Sequence, residues 1–117
     1  MDIDAMRERL RKRAGGKAGM ILIHDGIVRN SSRSGEPVSS IEVEVDHDSL
    51  SEVMKEAEQL KGVIAVDVEI ATGLLNVGDD IMLLGIAGDI RENTIAAMAH
   101  VLDRIKTEVT AKKEYNT

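Results

Sequence analysis

The amino-acid sequence predicts an α+β fold with the element order αββαββα, and three observations carry that prediction. Residues 40–46 alternate between apolar Ile41, Val43, Val45 and acidic Glu42, Glu44, Asp46, the pattern of a strand with one solvated face. Leu50, Val53, Met54, Ala57 and Leu60 fall at helical spacing. Residues 81–87, IMLLGIA, are apolar on both faces, which suits a strand in the middle of a sheet. Helices join some neighbouring strands and loops join others, so the pattern is not that of a doubly wound sheet.

The elements follow in chain order. Asp4 is placed to cap a first helix with Ile3, Met6 and Leu10 on one side, and Gly15-Gly16 stops it. Its other side is basic, with Arg7, Arg11 and Lys12. Residues 19–28, GMILIHDGIV, are rich in strand formers. Residues 30–38, NSSRSGEPV, hold the only proline and read as a loop. After the alternating strand, Ser49-Leu50-Ser51-Glu52 has the form of a capping box, and Gly62 ends the helix it opens. Residues 63–70, VIAVDVEI, form the next strand, and residues 73–80 a turn or short excursion. The last helix runs over 93–106, with Ile95, Met98, Ala99, Leu102 and Ile105 in one stripe. The chain is read as a single domain, 1–117, with residues 1–16 as the N-terminal helix and 108–117 as a tail.

Composition narrows the chemistry. Apolar residues make up 43% of the chain but aromatics only 1%, so the core is packed from Val, Ile, Leu, Met and Ala. A core short of large anchors favours burial of exposed edges between copies. With no cysteine, disulfides, thiolate metal sites and cysteine nucleophiles are excluded. The N-terminus lacks a signal-peptide core and no apolar run is long enough for a membrane span, so a cytoplasmic location is expected.

The net charge of −6 is unevenly spread. Residues 1–33 hold eight basic and four acidic side chains, 34–103 three and fifteen, and 104–117 four and two. If the fold brings its two basic ends together, they make a local basic site on an acidic protein; alternatively each is a solvated helix face. A nucleic-acid surface is not expected, because the middle of the chain is acidic and stacking aromatics are missing.

Among candidate residues, Arg91 stands between a buried strand and a helix. That position favours a bound phosphate or carboxylate, although Asp89 or Glu92 could pair with the guanidinium instead. Lys106 lies in the last turn of the final helix, where the dipole alone favours a cation. Desolvated beside Lys112 and Lys113, its amine would become an acid, base or nucleophile. His24, His47 and His100 are scattered. Asp46-His47-Asp48 lacks a second ligand set, so no metal site is expected. No phosphate-binding loop, dinucleotide glycine pattern or serine-triad order occurs.

Residues 73–114 resemble the large, catalytic subunit of molybdopterin synthase. The family pattern is a Gly-x-Leu-x-x-Gly-Asp/Glu turn, an apolar strand, an Arg opening a helix, Leu/Ile-Lys-Thr, and a Trp-Lys-Lys-Glu-like tail. This chain has Gly73, Leu75, Gly78, Asp79, Arg91, Ile105-Lys106-Thr107 and Lys112-Lys113-Glu114. Upstream, Gly26-Ile27-Val28-Arg29 matches the family's Gly-x-Val-Arg. The resemblance covers about residues 17–115. Departures are Ile90 where the family carries His, Asp46-His47-Asp48 where it carries His-Tyr-Pro, and Thr110-Ala111 where aromatics precede the lysine pair.

The resemblance implies an α/β hammerhead-like two-layer domain that works as a central homodimer, and as a heterotetramer with its partner. That partner is a small ubiquitin-like sulfur carrier whose C-terminal Gly-Gly bears a thiocarboxylate. Its sulfur passes to cyclic pyranopterin monophosphate, and two rounds build the molybdopterin dithiolene, with no cofactor bound by this chain. Lys106 matches the catalytic lysine, and Lys112 or Lys113 the second. Arg91, Arg29 and Arg104 are the implied substrate-binding residues. A divergent, non-catalytic module that docks a Gly-Gly tail is the alternative.

Overall fold

The computed structural model describes residues 1–116; Thr117, the end of the expected tail, lies outside the described residues. The elements are α1 (Ile3–Ala14), β1 (Met20–Ile27), β2 (Ser40–Val45), α2 (His47–Ala57), β3 (Val63–Ile70), β4 (Gly73–Asn76), β5 (Asp80–Gly88), α3 (Arg91–Arg104) and β6 (Thr110–Tyr115). A short 3₁₀ turn follows α1, and a π-helical turn, Ile105–Val109, follows α3. The order is therefore αββαβββαβ rather than αββαββα.

Two strands account for the difference. The expected excursion at 73–80 contains β4, and the tail contains β6. Neither TAKKEY nor GLLN shows an apolar alternation. Both are strands because β2 offers them its two edges, so the pairing is tertiary.

Two helix starts also shift. Asp2, not Asp4, caps α1 by accepting the Ala5 N–H at 3.0 Å. Asp46, not Ser49, caps α2 by accepting the Ser49 N–H at 3.1 Å. In both cases an upstream carboxylate reaches the orphan donors first. The hydrogen bonds from Ser49, its backbone N–H foremost, hold the Asp46 carboxyl below its ordinary pKa, and the Asp46-His47-Asp48 triplet is thereby a helix start.

The strands form two antiparallel three-stranded sheets, β1-β5-β3 and β4-β2-β6. β5 is central in the first, as its two apolar faces predict. Leu83 and Ala87 pack under Met6, Leu10 and Ala14 of α1. Leu84 and Ile86 pack on the other face, under Val53 and Ala57 of α2 and Ala97, Met98 and Val101 of α3. Helices thus cover both faces of this sheet. Gly85 lets α1 approach, since a Cβ there would crowd Leu10 Cδ1 at 2.5 Å.

The second sheet turns Ile41 and Val43 onto a smaller cluster with Val28, Val38 and Ile81, while Glu42 and Glu44 face solvent. The molecule is elongated, 49 × 25 × 23 Å. Among the described residues, no helix is long and apolar enough to cross a membrane.

Candidate functional site

The site begins where α3 changes its winding. The Thr110 N–H donates to the Ile105 carbonyl five residues back, closing the π turn. Ile105 and Val109 are buried in the main core, so Lys106, Thr107 and Glu108 between them are turned outward and exposed. The Thr107 hydroxyl donates back to the Asp103 carbonyl at 3.0 Å.

Arg104 braces this turn. Its Nε donates to Glu108 Oε2 at 2.6 Å and its Nη2 to Glu108 Oε1 at 2.9 Å, a fork-to-fork pair. Its Nη1 donates to Glu56 on α2. The fork holds the Glu108 carboxyl below its ordinary pKa, and the same hydrogen bonds, that to Glu108 first, raise the pKa of Arg104. The guanidinium expected on substrate is thus engaged within the chain.

β6 then runs antiparallel to β2, with Lys112 opposite Val43 and Lys113 opposite Glu42. Residues opposite each other across a ladder share a face. Lys112 therefore stands on the Val43 side and Lys113 on the Glu42 side. Lys113 Nζ lies 5.4 Å from the centroid of the Tyr115 ring. The Lys112 side chain keeps exposed surface, yet its pKa is lowered, first by crowding of the ammonium by protein atoms, then by repulsion from Lys106 and Arg33.

Arg33 belongs to the loop between β1 and β2. The Ser32 N–H donates to the Glu36 carbonyl at 2.8 Å and the Val38 N–H to the Asn30 carbonyl at 3.0 Å, which folds the loop back on itself. Arg33 was hidden in the sequence because the loop reads as turn chemistry; its signal was to be the one cation among residues 30–38.

Lys112 is thus within electrostatic reach of both Lys106 and Arg33. A shallow groove of about 320 Å³ runs between Glu44–Asp46 and Thr107–Ala111, and none of these three cations lines it. Arg29 is exposed just after β1. The cations of α1 do not all converge there. Arg9 donates to Asp67 at 2.8 Å, and Arg13 to the Val66 carbonyl at 2.6 Å and to Glu58 at 3.4 Å, so both pin the helix to the molecule's other side.

Arg91 is the first residue of α3 and its side chain is 76% exposed, 3.5 Å from Glu92. Asp89 does not pair with it. That carboxylate accepts the Asn93 side-chain amide at 3.0 Å and the Ile90 N–H at 2.6 Å, which ties it to the start of the helix and keeps the Asp89 pKa low. A 14-residue helix rises about 21 Å, so one chain holds Arg91 and Lys106 at opposite ends of α3.

Known proteins share this architecture. Molybdopterin synthase from Staphylococcus aureus superposes with a TM-score of 0.82 at 21% identity, covering 100% of this chain and 86% of that one. A MoaE protein of molybdopterin biosynthesis from Burkholderia ambifaria gives 0.80 at 26%, covering 99% and 78%. A complex of subunits 1 and 2 of molybdopterin-converting factor from Helicobacter pylori gives 0.73 at 15%, covering 97% and 78%. No curated protein matches in sequence. The family model for the MoaE protein matches residues 1–108, nearly the whole chain, and this chain belongs to that family.

Proposed function

We propose that this chain is the catalytic subunit of a cytoplasmic molybdopterin synthase. In this reading a small ubiquitin-like partner lays its C-terminal Gly-Gly thiocarboxylate beside Lys106, and its sulfur passes to cyclic pyranopterin monophosphate. A carbon–sulfur bond forms on the substrate as a carbon–oxygen bond at the same carbon breaks, the oxygen leaving as water or staying on the phosphate. Water then cleaves the tail's carbonyl–sulfur bond and leaves the tail a carboxylate. The Lys106 amine holds and moves the proton near that carbonyl. The partner brings the sulfur, in keeping with a chain that has no cysteine.

The observation that carries the reading is the cation cluster. The Lys112 ammonium is destabilised first by burial and then by Lys106 and Arg33, on a protein of net charge −6. Like charges held together are relieved when anions bind, and both the thiocarboxylate and the substrate phosphate are anions. The partner's docking is suggested by the Helicobacter pylori complex of two subunits.

The separation of Arg91 from Lys106 supports a homodimer in which Arg91 of one copy serves the lysines of the other. Exposed Ile27 and Val77, with Leu74 at 65%, give an apolar surface that a second copy could cover.

Replacing Lys106→Ala should abolish molybdopterin formation from the cyclic precursor and a thiocarboxylated partner while circular dichroism and the melting midpoint stay close to wild type. Undiminished product formation would remove Lys106 from the chemistry.

The non-catalytic alternative draws on Ile90, 54% exposed where the family has a titratable His. Stable capture of a Gly-Gly-ended partner with no sulfur transfer by the wild-type chain would select it.

A further inference from the structure

We propose that Arg104 is the positioning residue of the site: by gripping Glu108 and Glu56 it locks the π turn Ile105–Val109 in the winding that turns Lys106 toward Lys112. The inference rests on the reading of Lys106 as the reacting amine.

The π turn is an uncommon winding that recurs at functional sites. Left alone, α3 would continue with bonds four residues apart, and each later residue would point elsewhere around the axis. Here the Ile105 N–H already splits between the Leu102 and Val101 carbonyls, and the Thr110 N–H reaches back five residues. Two buried side chains, Ile105 and Val109, anchor the turn from inside.

From outside, one guanidinium joins three pieces. Arg104 ends α3, Glu108 lies two residues past Lys106, and Glu56 is on α2. Both Glu108 oxygens are taken, so the carboxylate cannot swing toward Lys106. The Arg104 side chain is only 24% exposed, so the fork is partly shielded from water and from screening. A lysine could not copy it, because a single ammonium cannot present a planar fork. Each of the three guanidine nitrogens donates to a carboxylate of this chain, which moves Arg104 from substrate binding to support.

Steady-state kinetics on the full chain with thiocarboxylated partner and cyclic pyranopterin monophosphate test this. Arg104→Gln should lower kcat at least tenfold, with substrate KM and partner Kd within twofold of wild type. Arg104→Lys should recover little of the loss. A kcat within twofold of wild type in Arg104→Gln overturns the proposal. So does a rise confined to KM, which would put the guanidinium on substrate after all. If Arg104→Gln does not fold, Glu108→Gln removes the fork from the other side, and an unchanged kcat there overturns the proposal equally. Lys106→Ala is assayed in parallel. Its full activity would strike down the underlying reading, whereas an inactive Lys106→Ala beside a fully active Arg104→Gln would strike down this inference alone.

Discussion

Lys112 and Lys113 are adjacent and carry the same charge, yet they face opposite sides of β6. The strand's period of two separates them: one meets Lys106 and Arg33, the other the ring of Tyr115. Lys112→Met should therefore reduce turnover at least tenfold, and Lys113→Met by less than threefold. The two variants should also differ in stability. Folding lowers the pKa of Lys112 from 10.5, so the native state binds fewer protons than the unfolded state between the lowered value and 10.5. Stability then rises with pH across that window. Below it the cost of burying the charged amine and the repulsion from Lys106 and Arg33 are both fully present, so Lys112→Met should melt higher than wild type at neutral pH. Its advantage should shrink as pH climbs toward 10.5. Thermal melts from pH 7 to pH 10 read this directly, and a Lys112→Met variant that melts lower at pH 7 would contradict it.

At the scale of elements, the start of α3 depends on a single missing side chain. Thr94 is fully buried and its hydroxyl donates to the Ile90 carbonyl at 2.8 Å. A Cβ on Gly88 would collide with that hydroxyl. Gly88→Ala should thus destabilise the protein by about 1–3 kcal/mol, the usual cost of overfilling a packed site; an unchanged urea midpoint would show that α3 can shift freely. Elements with their own periodicity were readable in the sequence. The 40–46 alternation, the 50–60 helix and the apolar 81–87 run each encode their environment locally. β4 and β6 do not, because their strand state comes from pairing with β2. The lysine ambiguity was unreadable for the same reason, since only the register with Val43 and Glu42 decides which side each amine takes. The Arg104 fork was invisible because Glu56 is 48 residues away along the chain.

At the scale of the molecule, the two sheets lie along a long body. The radius of gyration is 15.0 Å, against about 13 Å for a compact chain of this length. The length of α3 keeps its two ends about 21 Å apart, and that separation makes the homodimer testable by mixing. Arg91→Ala and Lys106→Ala should each be inactive alone. Refolded together, mixed dimers contain one site with both residues intact, so about a quarter of wild-type activity should return if chains pair at random. No recovery in a mixture shown to contain mixed dimers would deny that one copy's Arg91 serves the other's lysines.

The central claim is that the Lys106 end of this chain carries out sulfur transfer. The measurement that reaches it most directly is a single-turnover reaction of purified chain, thiocarboxylated small partner and cyclic pyranopterin monophosphate, with the partner's tail followed by mass spectrometry. The account predicts loss of sulfur from the tail as dithiolene appears, and neither change with Lys106→Ala. A tail that binds the wild-type chain and keeps its sulfur would contradict it.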